Sequence, residues 1–172
     1  MKKGLTLIEI LAAILIFSII MIAIGLTVVA GKNSLFTSDT PTKLRQNLLF
    51  SIMSISRELR ETAPARTNLA AGASSNSITF QVPFDNNADG VVVDAVGNIE
   101  WGANITYSLN AANQLIRTQG ANLSIIASDI TGLQFNRPIA EDRIIQVDIT
   151  AQRTDGTGNW QDSEQVILKM RN

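Results

Sequence analysis

From Ile10 to Val29 the chain is apolar almost without interruption, with only Ser18, Gly25 and Thr27 breaking a run of Ile, Leu, Ala, Val, Met and Phe. About twenty such residues at a rise of 1.5 Å span a hydrocarbon core, so the run predicts a transmembrane helix rather than part of a soluble fold. Lys2 and Lys3 precede it. The positive-inside bias therefore places the N-terminus in the cytoplasm and everything after Lys32 outside. A secretory signal has a shorter apolar region and a small-residue cleavage site beyond it, whereas here Gly4 stands before the run. Cleavage, where it occurs, belongs at the cytoplasmic end.

Glu9 is the residue in this segment that needs a reason. An ionisable group in a membrane helix costs on the order of 2.5–3.5 kcal/mol when central and less near an interface, and by default it has a partner. A plain anchor with an interfacial glutamate is one reading. The other follows from a cut after Gly4, which removes both lysines and leaves a new α-amine on Leu5, a cation of pKa about 8. That amine lies little more than one helical turn from Glu9, and an amine from a neighbouring helix could neutralise the carboxylate equally well.

Lys3-Gly4-Leu5-Thr6-Leu7-Ile8-Glu9, followed by the long apolar helix, resembles the processing signal of bacterial type IV pilins and pseudopilins. The resemblance implies that a prepilin peptidase cuts between Gly4 and Leu5 and methylates the new amine, with Glu9 and Leu5 as assembly contacts. It also implies other pilin subunits as partners through their N-terminal helices, an inner-membrane assembly platform, and lipid around the helix before assembly. Leu5 stands where the family usually has Phe.

Of 172 residues, about 140 remain beyond the apolar helix, enough for one domain with a real core. A net charge of −1, a pI near 5.4 and the lack of any Lys or Arg block argue against a nucleic-acid surface. The chain has neither Cys nor His. This excludes a disulfide framework, thiolate or imidazole metal sites, and Cys–His or Ser–His nucleophilic catalysis. There is also no G-x-S-x-G, S-x-x-K or phosphate loop, so no enzymatic activity is expected. Packing, strand pairing or a bound ion must hold the head.

Thr40-Pro41 reads as an N-cap with proline in the first helical turn. Beyond it Leu44, Leu48, Ile52, Ile55 and Leu59 recur at spacings of three and four, an amphipathic helix ending near Ala63-Pro64. After Pro64 the period becomes strand-like. Strands are expected at Ile78 to Val82, Ile99 to Trp101, Ile105 to Leu109, Gln114 to Thr118, Leu123 to Ile126, Leu133 to Phe135, Ile144 to Ala151 and Gln165 to Met170. Turns are expected at Asn110 to Asn113 and Thr154 to Asn159. The fold class is α+β, with a long helix packed on an antiparallel β-sheet head. The organisation is a leader at 1–4, a transmembrane or filament-core helix at 5–30, a spine helix at 31–63 with a break near Pro41, and a β-rich head at 64–172. This order of elements is similar to the heads of PilW-type minor pilins and J-type general-secretion pseudopilins. The resemblance implies a minor structural subunit, with a membrane-anchored binding protein as the alternative.

Asp85-x-Asn87-x-Asp89-Gly90 places oxygen ligands at alternate positions ahead of a glycine, like the first half of a calcium loop. The closing Glu would fall at Val96, and Asp94 is the nearest substitute. Calcium held by Asp85, Asn87, Asp89 and Asp94 and an ordinary Asx-rich turn are both compatible with the pattern. Trp101, Tyr107 and Trp160 read as strand or core aromatics, because they lack the basic interleaving of a binding platform.

Overall fold

The computed structural model describes residues 7–156 and 158–171, with the backbone alone for residues 33–38. One helix, α1, is assigned over Leu7–Leu59, and Pro41 lies inside it. Thr40-Pro41 therefore does not open a new helix as expected. Proline in a helix interior removes one backbone hydrogen bond, a penalty of about 3 kcal/mol, and the packed turns that follow offset it. The chain divides into two compact units, Met1–Thr40 and Pro41–Asn172.

In the first unit, Leu7–Lys32 is long and apolar enough to cross a membrane: 26 residues with a mean hydropathy of 3.0 and none of them buried. At 1.5 Å per residue it extends about 39 Å, more than a hydrocarbon core requires. The Ser18 hydroxyl donates to the Ile14 carbonyl at 2.8 Å and that of Thr27 to Ala23 at 2.9 Å. Each polar atom is thus satisfied within the helix, which is how two hydroxyls fit a segment meant for a dry environment.

In the second unit the helix is amphipathic. Leu44, Leu48, Ser51, Ile55 and Leu59 are buried, and Thr62 continues the stripe beyond the helix end. Ile52 is only partly buried at the margin of the core. Ser51 holds the inward position next to it with its hydroxyl donating to the Asn47 carbonyl at 2.7 Å, so its own polar atom is satisfied.

The strands pair antiparallel in two sheets of four. One comprises β2 (Ile78–Phe80), β3 (Ile105–Leu109), β4 (Leu115–Gln119) and β5 (Asn122–Ala127), in that order. The other orders β1 (Ser74–Ser75), β6 (Ile130–Asn136), β7 (Ile144–Asp155) and β8 (Gly158–Lys169). The Asn110 to Asn113 and Thr154 to Asn159 turns join β3 to β4 and β7 to β8 as expected. Ile99 to Trp101 makes only isolated bridges, Val93 with Ile99 and Pro83 with Trp101. Strand β8 begins seven residues before the expected Gln165.

Strand β7 buries Ile145, Val147, Ile149 and Ala151 at alternate positions, the signature of a strand with one face on the core. Ile130, Leu133 and Phe135 of β6, Ile78 and Phe80 of β2, Ile105 and Tyr107 of β3 and Leu115 of β4 complete the same cluster with the helix stripe. Leu168 and Met170 close it, and the Arg171 amide donates to the Thr62 carbonyl at 2.9 Å. The Arg137 side chain, nearly buried, donates to the carbonyls of Pro64, Leu69 and Asp142. It stitches the segment after the helix to the β6–β7 connection.

Candidate functional site

The processing residues Gly4 and Leu5 lie outside the described residues. Glu9 lies in the first described turn of α1 and is exposed. Below it, side chains as large as Ile14, Phe17 and Leu26 are more than half exposed. A helix apolar around its whole circumference has no complement within its own chain and belongs in lipid or among other helices. Gly25 and Gly31 leave open space where a Cβ would project, so a neighbouring backbone could approach closely there.

The Asp/Asn turn is built by its own carboxylates. Asp85 accepts from the amides of Asp89 at 3.3 Å and Gly90 at 2.8 Å, Asn87 Oδ1 from Asp89 at 3.0 Å, and Asp89 from Val91 at 2.9 Å. Gly90 adopts φ of 89°, where a side chain is strained. Asp94 belongs to the following turn: its Oδ1 accepts from the amides of Val96 and Asn98, and its Oδ2 from the Asn98 side chain. The Asn98 backbone bond, then its side-chain amide, hold the Asp94 carboxyl below its ordinary range. Glu100, outside the sequence pattern, ties the two turns together by accepting from the Asn86 amide at 2.7 Å and the Asn87 side chain at 3.1 Å. Among the described residues, no group of three or more His, Cys, Asp or Glu comes together to hold a metal ion.

Of the aromatics, Tyr107 is buried and stacks on Phe80 with ring centroids 6.1 Å apart. Trp160 packs against the core from partly buried ground, and Trp101 carries the Arg66 guanidinium 5.1 Å above its ring. Tyr107 also anchors a polar cluster that sequence reasoning missed. Its hydroxyl donates to Glu58 at 2.9 Å and shares a 2.9 Å hydrogen bond with Ser54. The Arg117 Nε donates to both Glu58 oxygens, at 2.9 and 3.0 Å. Burial pushes the Tyr107 phenol up to about 12. The Glu58 carboxylate raises the Arg117 guanidinium above its usual value. This cluster ties the spine helix to β3 and β4. The β3–β4 register sets Tyr107 opposite Arg117, one residue away from the pairing that a turn at Asn110 to Asn113 followed by a strand from Gln114 would give, and no local pattern brings Glu58 of the helix to that pair.

Residues 1–25 match the family model for the prokaryotic N-terminal methylation motif. No curated protein and no solved structure matches the chain. Glu9 and most of the exposed apolar helix, from Leu7 to Gly25, fall inside the matched segment. At its N-terminus, then, this α+β chain carries the methylation motif of prepilin-peptidase-processed proteins of type IV pilin-like or pseudopilin kind.

Proposed function

We propose that the chain is a structural subunit, and a minor one, of a type IV pilus or type II secretion pseudopilus. The observation that carries this reading is the junction of a methylation motif at residues 1–25 with a helix, Leu7–Lys32, that buries none of its apolar surface within the chain. The precursor sits in the bacterial inner membrane with its N-terminus cytoplasmic. Prepilin peptidase cuts after Gly4 and methylates the Leu5 amine. The helix then passes from lipid into a filament core, where packing of small and branched side chains replaces lipid contacts. Glu9 neutralises the Leu5 amine of a neighbour and sets the axial register. The minor role, and the likeness to PilW-type and J-type subunits, are supported by the order of elements in the head. The role is structural, without catalysis.

Mass spectrometry of protein from the native host tests this. Assembled material is expected to begin at a methylated Leu5, and Gly4→Val is expected to leave the precursor uncut in the membrane. An intact Met1 in sheared filaments would overturn the reading and favour a simple membrane anchor with a ligand-binding head.

A further inference from the structure

Two surfaces of the head remain unexplained by the N-terminal segment, and their chemistries are opposite. The first is an open groove of about 720 Å³ between the outer face of α1 and strand β5. Phe50, Met53 and Ile125 supply exposed apolar walls, Arg57 and Arg60 the only charges, and no acid lines it among the described residues. At the groove the Ser56 hydroxyl is buried with no hydrogen-bond partner. The neighbouring strand β5 is an edge, and residues 118–128 contain no charge and no proline. Exposed edges are normally blunted by such residues, and an unblunted apolar edge is a place for another chain to dock.

The second surface is the double turn from Phe84 to Glu100. Phe84, Val91, Val93 and Val96 are all exposed there, Val96 to 86 %. Asp85, Asp89, Asp94 and Glu100 surround them, and no Lys or Arg occurs anywhere in residues 67–116. None of these four carboxylates has an ion-pair partner among the described residues. They accept hydrogen bonds from the turn itself, which holds the valines in a fixed arrangement. A preformed apolar knob gives up little conformational freedom on docking.

We infer that the groove beside Arg57 and Arg60 receives the acidic, valine-rich double turn of a second copy of this chain. The sign of the charges selects the occupant: a groove whose only charges are two guanidinium groups, and in the same chain a knob bearing four carboxylates and no cation. The two surfaces share no residue, so the contact is heterologous and each copy keeps one free groove and one free knob. The inference goes beyond the filament reading, since it concerns the head alone.

The absence of native cysteine makes the contact directly testable. Full-length chains in detergent, one carrying Met53→Cys and the other Val96→Cys with different tags, are mixed and oxidised. A cross-linked pair bearing both tags is expected at a yield about tenfold above that of Met53→Cys with Ile139→Cys, an equally exposed site in another loop. Arg57→Glu with Arg60→Glu in the first chain should abolish the excess. Asp89→Lys with Ala95→Lys in the second should restore it, which a misfolded variant could not do. A yield no higher than the control, or one indifferent to the charge reversal, overturns the inference. Mixing in detergent needs neither cleavage nor assembly, so cross-linking of a chain that retains Met1 in filaments would break the filament reading and leave this one standing.

Discussion

Residues 7–32 and residues 41–59 are assigned to one helix, yet they use it in opposite ways. The first stretch is apolar on every side and buries nothing within the chain; the second buries Leu44, Leu48, Ile55 and Leu59 in its own core and leaves Phe50 and Met53 exposed on its outer face. A helix apolar all round requires an environment from outside, whereas an amphipathic helix is completed by its own sheets. The same residue type therefore carries different meanings in the two stretches. Glu9 is expected to matter for assembly, and Glu58 matters for the fold because Arg117 and Tyr107 of the same chain hold it.

The strongest way to break this contrast is Glu9→Leu. The change makes insertion easier, so the precursor should enter the membrane, be cut and fold its head as wild type does. In a filament core, however, a neighbouring Leu5 ammonium would be buried without a counter-charge, a loss of about 3–5 kcal/mol. That corresponds to a drop in incorporation of roughly two to three orders of magnitude. Immunoblots of membrane-held and sheared fractions read it, and equal incorporation at equal precursor level would return Glu9 to the role of an interfacial side chain.

A pair of truncations sharpens the comparison from the other side. Ile55→Ala should destabilise the head by about 2–5 kcal/mol, since it opens a cavity in a fully buried stripe. Ile14→Ala, in the exposed stretch, should change head stability by less than about 0.5 kcal/mol. Denaturant unfolding of the full chain in detergent, followed by tryptophan fluorescence, measures both. Comparable losses would mean that the two stretches are not functionally distinct.

A smaller effect is expected from Tyr107→Phe, about 1 kcal/mol at neutral pH for the lost hydrogen bonds. The pH dependence is more diagnostic. The phenol titrates at about 12 in the folded protein, against 10 for an unperturbed tyrosine. Its contribution is thus fully present below pH 10 and is lost as the pH rises through about 12. Wild type should lose Tm relative to Tyr107→Phe across that window. Parallel curves would show that the phenol does not couple to folding.

The smallest effect concerns the Asp/Asn turn. Its carboxylates are engaged by backbone amides, and on that footing chelator should leave Tm unchanged while Asp85→Ala lowers stability by about 1 kcal/mol. A fall in Tm on chelation that disappears in Asp85→Ala with Asp89→Ala would instead establish a calcium ion that stabilises the folded state by mass action.

What could be read from the sequence depended on how far neighbouring residues alone decide structure. The apolar run, the methylation motif with its acid, and the alternation in β7 are local patterns that need no tertiary knowledge. Strand β8 was half hidden because Trp160 to Glu164 lies on a sheet edge with most side chains in solvent, which removes the hydrophobic alternation. Ile99 to Trp101 has strand-like residues but makes isolated bridges, since hydrogen bonds to Asp85, Asp94 and Glu100 shape the surrounding turns. Strand β1, only Ser74 and Ser75, is defined by its pairing with Phe135 and Asn136 and has no signature of its own. The division of the strands between two sheets rests on long-range contacts and had no local signal. The Glu58 cluster needed both the β3–β4 register and the rotational phase of the helix.

The pairing of the Arg171 amide with the Thr62 carbonyl, beside Leu168 and Met170 in the core, has a consequence for timing. Contacts between residues more than a hundred positions apart form only after a large loop-closure penalty, and they slow folding. A chain that emerges gradually, whether from the ribosome or across a membrane, presents the spine stripe and the first sheet long before the strand that completes the core. Until β8 arrives, Ile145 and Val147 lack their strand partners Leu168 and Val166 and apolar surface stays open to aggregation. With no cysteine to lock an early intermediate, the head's commitment to its native state waits on β8.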